Sequence, residues 1–189
     1  MCELCTNGHL PGCGLISDIR KCKGCCPLKC EVSPHPNYVA VIGTRSPTDI
    51  QKEKVATLLK RLNRVAAVIK TGGAEGVDSI AMQHAWKLRV VLPWASYNQK
   101  LIPKHAWVTV FDSQKSWMES VYRLHPNPNA LSPAAFKLHA RNYGIIEGCD
   151  LVIAAPSHKK GGTEQGIRIA REKNIELVIV DPEGKMFKY

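Results

Sequence analysis

Three short segments rich in glycine, hydroxyl and basic residues carry the chemistry that a sequence of this kind can do. Gly43, Thr44, Arg45 and Ser46 offer a small residue, two hydroxyls and a guanidinium able to fork onto a phosphate. Gly72, Gly73, Ala74, Glu75 and Gly76, followed by Asp78, form a glycine turn that lets the backbone approach a ligand closely. Gly161, Gly162, Thr163 and Glu164 form a third such turn. Each follows an apolar run and precedes a segment of helical periodicity. Their N–H groups and helix dipoles would therefore converge on one edge. A single glycine turn after a strand is ordinary turn chemistry, but three at equivalent positions point to a phosphate-binding edge. None ends in Gly-Lys-Ser/Thr, so none is a Walker A loop, and the Gly-x-Gly-x-x-Gly dinucleotide fingerprint is missing as well.

A second chemistry is concentrated at the start of the chain. Seven of the eight cysteines fall between Cys2 and Cys30. Cys2 and Cys5, and again Cys22 and Cys25, form two Cys-x2-Cys turns separated by sixteen residues, within the spacing of a four-cysteine zinc ribbon. His9, Cys13, Cys26 and Cys30 remain as further ligands or alternates, and their partition is open. An iron–sulfur cluster is the rival, since Cys22, Cys25, Cys26 and Cys30 also have cluster-compatible spacing. Lys21, Lys23 and Lys29 make this segment a basic knuckle able to touch nucleic-acid phosphates, or else an inert cap.

The elements that would position these residues follow from hydrophobic patterning. Apolar runs at residues 38–42, 66–70, 89–93, 150–154 and 176–180 read as buried strands, and 107–111 as a short strand. Helical spacing marks 49–64, a segment from about 77 with Ile80, Ala81, His84, Ala85 and Leu88 on one face, then 113–124, 132–148 and 162–173. Alternation of strand and helix, with strands apolar throughout, predicts an α/β, Rossmann-like, mostly parallel sheet with helices on both faces. Composition changes near Ser33, dividing a cysteine-rich segment (1–33) from the α/β domain (34–189).

Residues outside these motifs have plainer expected roles. Cys149 reads as a small core residue and His84 as a packed histidine. Most of Trp86, Trp94, Trp107 and Trp117 are expected in the core, though a base-stacking platform is an alternative for them. Asp78 could satisfy free amides at a helix start or contact a ligand.

The formal net charge of +10 favours polyanions, phosphorylated ligands or acidic partners, or serves only as a solubilising surface. No run approaches the roughly 20 apolar residues of a membrane span, which argues against a membrane partner. The opening residues lack the basic and apolar regions of a secretory signal, so the expected location is a reducing cytoplasm, where clustered cysteines favour metal over disulfides.

Taken in order, residues 41–45, then 73–78 with Ala81, His84 and Ala85, then Arg141 and Asn142 with Ile145, Ile146 and 150–152, and finally Gly161, Gly162 and Thr163 resemble the motifs of the SLOG superfamily. That superfamily includes DNA-processing protein A (DprA/Smf), YspA-like and LOG proteins, and the resemblance spans about residues 38–181. It implies a Rossmann-like fold whose pocket takes a nucleotide or nucleotide-derived ligand or, in the DNA-processing branch, single-stranded DNA. Family members often pair, so homo-oligomers are part of what it implies.

Arg141 and Asn142 match the Arg-Asn pair facing the ligand edge in the DNA-processing and YspA-like branches. The LOG hydrolase motif differs: its acid three residues after the threonine is replaced here by Gly166, with Glu164 displaced to the position directly after Thr163. The leading expectation is accordingly a nucleotide-ligand binding protein, with single-stranded DNA binding as the alternative. Glycosidic-bond hydrolysis, with Glu75 or Glu164 as acid or base, is third.

Overall fold

The computed structural model describes residues 35–158 and 161–189. The cysteine knuckle expected at Cys2, Cys5, His9, Cys13, Cys22, Cys25, Cys26 and Cys30 lies outside the described residues. The described chain forms seven strands and five α-helices: β1 (Tyr38–Gly43), α1 (Asp49–Arg64), β2 (Val68–Thr71), α2 (Val77–His84), β3 (Lys87–Leu92), β4 (Trp107–Val110), α3 (Lys115–Leu124), α4 (Pro133–Ile146), β5 (Leu151–Ala155), α5 (Gly162–Glu172), β6 (Glu176–Val180) and β7 (Met186–Lys188). The strands make one sheet in the order β4-β3-β2-β1-β5-β6-β7, parallel except for β7. The expected α/β, mostly parallel architecture is therefore present. Among the described residues, no helix is long and apolar enough to cross a membrane.

The two faces of the sheet are covered by different helices because side chains alternate along a strand. Ala40, Ile42, Val91, Val152 and Ala154 share one apolar cluster with Trp117 and Val121 of α3, Ala140 and Ile146 of α4, and Ile167 and Ala170 of α5. Val39, Val41 and Ile69 point the other way, towards the buried sides of α1 (Val55, Leu59, Leu62) and α2 (Val77, Ala81, Met82).

Local chemistry sets the element ends. The α1 N-terminus is a capping box: Gln51 N–H donates to Thr48 Oγ1 at 3.2 Å, and Thr48 N–H donates to Gln51 Oε1 at 3.1 Å. The buried Gln51 amide also donates to the carbonyls of Pro156 (2.8 Å) and Val180 (3.0 Å), joining this cap to the ends of β5 and β6.

Several sequence expectations shift for identifiable reasons. Strand β2 begins at Val68 rather than residue 66, because α1 closes in a left-handed turn with Ala66 at φ +57° and Ala67 N–H bonded to Leu62 O. The second helix ends at His84, so Leu88 lies on β3 and not on a helix face. The buried Asn63 side chain ends it, donating to His84 O at 2.7 Å and accepting from Trp86 N–H at 3.1 Å. Strand β7 was not expected; it returns antiparallel onto β6 after a turn in which Gly184 has φ +80°.

The tryptophans also depart from expectation. Trp117 alone of the four is buried; its ring stacks on Phe111 at 5.9 Å and its Nε1–H donates to Glu147. Trp86 and Trp107 are 74% and 67% exposed, which removes them from the core. Cys149 is buried, and burial pushes its thiol pKa up to about 11. A thiol so held is a packing group and not a nucleophile at neutral pH.

Replacing Gln51 with Ala strands two carbonyls at the strand ends. The expected loss is about 2 kcal/mol of folding stability, read as a lower urea midpoint at unchanged slope.

A cavity at the topological switch point

Strand β1 lies between β2 and β5, and the chain leaves it in opposite directions: β2, β3 and β4 build one side of the sheet, β5, β6 and β7 the other. A crevice opens beyond the carboxyl ends of strands at such a switch point. Here it holds a cavity of about 390 Å³, between the loops that follow β1 and β5 and one side of α4.

The loop after β1 is held against two neighbours. Thr44 N–H continues the ladder to Ala155 O (2.8 Å), and Thr44 O accepts from Val77 N–H at the start of α2 (3.1 Å). Two glycines permit this closeness. A Cβ on Gly43 would overlap Val77 and stand 2.7 Å from the Ala155 carbonyl. Gly76 has φ +80°, and a Cβ there would overlap the Thr44 carbonyl and sit 2.6 Å from Arg45 Cα. Gly43, Thr44 and Arg45 line the cavity. Ser46 is not part of the lining; its N–H donates to Thr44 Oγ1 at 3.2 Å.

Behind this loop sits a buried ion pair. Arg141 on α4 and Asp78 on α2 are both almost inaccessible, with Arg141 Nη1 3.7 Å from Asp78 Oδ2. Asp78 also accepts from Ala74 N–H at 3.1 Å, the structural role expected at a helix start, and it lines the cavity. Burial pushes the Asp78 carboxyl pKa up, opposed by the Arg141 charge. Burial likewise lowers Arg141, though a guanidinium stays protonated at neutral pH. Gly72 makes room for this arrangement, since a Cβ there would fall on the guanidinium. Gly73 adopts φ +70°, and its carbonyl accepts from Asn98 Nδ2. Gly72, Gly73 and Gly76 thus shape the site from behind without lining the cavity. Among the described residues the Arg141 Nε has no hydrogen-bond partner, and the guanidinium carbon lies 5.9 Å from the centre of the Tyr97 ring. A buried cation with spare donors beside a cavity suits an anionic ligand.

The third wall is the start of α5. Gly161, Gly162 and Thr163 line the cavity, so the dipole end of this helix faces the crevice, and among the described residues no side chain caps it. Asn142, also lining the cavity, donates to Gln165 Oε1 at 3.1 Å, and His139 Nδ1 approaches the same oxygen at 2.6 Å. The donor and acceptor roles in the His139–Gln165 contact follow the imidazole tautomer. Burial holds the His139 imidazole below its usual range, reinforced by nearby Arg168, Arg141 and His125.

His139, Gln165 and Ser157 were not singled out from sequence. Gln165 follows the third glycine turn by one helical turn, which places it beside Gly162 and is the one signal that could have found it. Glu75 is exposed and, like Glu164, lies outside the lining. Gly166 packs closely: a Cβ there would meet the Ile42 Cδ1 methyl group at 2.4 Å, so a larger residue requires that side chain to move. Among the described residues, no group of three or more His, Cys, Asp or Glu could hold a metal ion.

A family model for DNA recombination-mediator protein A matches residues 28–188. The chain belongs to the DNA recombination-mediator protein A family. Its described domain is similar to a solved structure of DNA processing protein A from Helicobacter pylori, reported for a unique single-stranded DNA binding mode. The TM-score is 0.59 at 28% identity, covering 76% of this chain and 65% of that one. It shares its fold with DNA processing protein A from Streptococcus pneumoniae, at TM-score 0.52 and 20% identity, covering 75% of this chain and 49% of that one. The chain therefore spans 49% to 65% of the length of these two relatives. No curated protein matches it. The DprA-like branch of the SLOG resemblance is the one that holds.

A histidine held below its usual pKa stabilises the fold when neutral, so its contribution is present above about pH 6.5 and is lost as pH falls through the folded-state value. Thermal melts between pH 7.5 and 5 (roughly the range over which a histidine titrates) should show a drop that is smaller in His139→Gln than in the parent protein.

Proposed function

We propose that this domain binds single-stranded DNA, seating one phosphate of the strand at the switch-point cavity. The observation that carries the reading is the buried Arg141 guanidinium, which has one carboxylate at 3.7 Å, an Nε unpartnered among the described residues, and a place in the cavity wall beside Arg45 and the start of α5. Membership in the recombination-mediator family and the single-stranded DNA named for the Helicobacter pylori relative support it. A net charge of +10 is consistent with a polyanionic partner.

The leading expectation from sequence, a free nucleotide-like ligand, has one observation in its favour. A cavity of about 390 Å³ is within the range of small-molecule sites. The same cavity equally seats one nucleotide unit of a strand, and family membership favours the strand. Glycosidic-bond hydrolysis has the least support, because Glu75 and Glu164 lie outside the lining.

Fluorescence anisotropy with a labelled oligothymidylate tests the proposal. Affinity should fall steeply with salt, with log K losing roughly 0.7 per phosphate contacted for each unit of log salt. Arg45→Ala and Arg141→Gln should each weaken binding about ten-fold or more, the scale of a lost charge-assisted hydrogen bond. Gly72→Ala should act like Arg141→Gln because the new methyl group displaces the guanidinium. Salt-independent binding, or binding indifferent to these variants, would overturn the proposal; saturable stabilisation by a mononucleotide with no oligonucleotide binding would establish the small-ligand reading instead.

For the N-terminal segment, we propose that Cys2, Cys5, Cys22 and Cys25 hold a zinc ion, on the chemistry of the donor set alone. Purified protein should contain zinc by elemental analysis and lack visible absorption. Iron with charge-transfer bands would replace zinc with an iron–sulfur cluster.

A further inference from the structure

Residues 79–111 contain no Asp or Glu, yet they hold Lys87, Arg89, Lys100 and Lys104, three of the four tryptophans and Tyr97. The middle of this segment packs behind the cavity wall, where the Arg141 guanidinium lies over Tyr97 and Asn98 donates to Gly73 O. On either side of it in sequence lie β3 and the edge strand β4. Strand register places Ala40, Lys70, Arg89 and Trp107 in one row across β1 to β4. In that row the Arg89 guanidinium is stacked between two rings, 5.4 Å from the centre of Tyr38 and 5.1 Å from the centre of Trp107. Trp107 is nevertheless 67% exposed. The exposed Lys87 shares the Arg89 face of β3, two residues away. The nearby carboxylates are engaged elsewhere, Glu147 by Trp117 Nε1–H and Asp150 by the N–H groups of Asn37 and Tyr38.

We infer that the β3–β4 flank is a second contact surface for single-stranded nucleic acid, in which Trp107 stacks a base and Lys87 meets the adjoining phosphate. The inference rests on the single-stranded DNA reading of the cavity and extends the strand's path away from it. A large aromatic ring left in water on an edge strand is otherwise a liability. The Tyr38–Arg89 stack fixes Trp107 from beneath at little entropic cost, leaving an exposed indole, and such platforms accept any base. From β1 to β4 is three strand spacings, or roughly 14 Å, a distance a short stretch of strand covers. A second copy of this chain pairing along β4 is the competing occupant. Four cations with no acid among them repel a copy and attract a polyanion.

The test uses the full chain, a long oligothymidylate, anisotropy and tryptophan emission. Trp107→Ala should weaken binding on the order of ten-fold, the scale of one lost base stack. Trp107→Phe should retain most of the affinity while losing much of the DNA-induced quenching, and Lys87→Gln should lower the salt dependence. Because Trp107 is exposed, all three variants should melt as the parent does. If the parent binds and Trp107→Ala binds equally well, the flank is not a contact surface, and the cavity reading survives. If the parent binds no oligonucleotide while the cavity variants are silent too, both readings fall. If Trp107→Ala instead converts a dimer to a monomer at unchanged DNA affinity, β4 is a self-association edge and the inference is wrong.

Discussion

Taking a guanidinium out of water costs several kcal/mol unless its charge is met, and this domain buries Arg141 against a single carboxylate 3.7 Å away. Much of the site's construction follows from meeting that cost. Asp78 is fixed by the Ala74 amide at the head of α2, Gly72 surrenders its side-chain volume to the guanidinium, and the Tyr97 ring stands over it. The compensation is incomplete, and its incompleteness is useful. Arg141 lines the cavity, and its buried Nε has no hydrogen-bond partner among the described residues.

The glycine turns were legible because their function is backbone geometry, which glycine reports directly. What each one does was less legible. Gly43 and Gly76 serve the approach of β1 to α2 and Gly72 serves Arg141, while Gly43, Ala74, Gly161 and Gly162 bring all three turns to the crevice wall. Strand and helix types followed from periodicity wherever a face is buried. Periodicity carried the second helix too far because Leu88 continues the apolar spacing; Asn63, distant in sequence, intercepts the backbone at His84 and Trp86. The His139–Gln165–Asn142 cluster was illegible for a similar reason, being assembled from two helices whose contact no local pattern encodes.

Tryptophan misled in the opposite direction. A large apolar ring usually belongs in a core, and Trp117 obeys, packed where a Cβ on Gly144 would overlap it. Trp107 does not, because among the described residues β4 has no further strand beyond it, and its own residues are exposed or half-buried throughout. Gly166 shows the same interplay of packing and chemistry. Its missing side chain lets α5 lie directly on Ile42, where a Cβ would meet the Cδ1 methyl group.

The loop after β1 has a consequence for how ligands are discriminated. Its backbone is tied on one side to Ala155 and on the other to Val77, so little of it has to become ordered when a ligand arrives. The entropic penalty of association then falls on the ligand. A chain that is already stacked and extended gives up less freedom than a limp one, so two sequences offering identical phosphates can be ranked by their own stiffness, with no base being read.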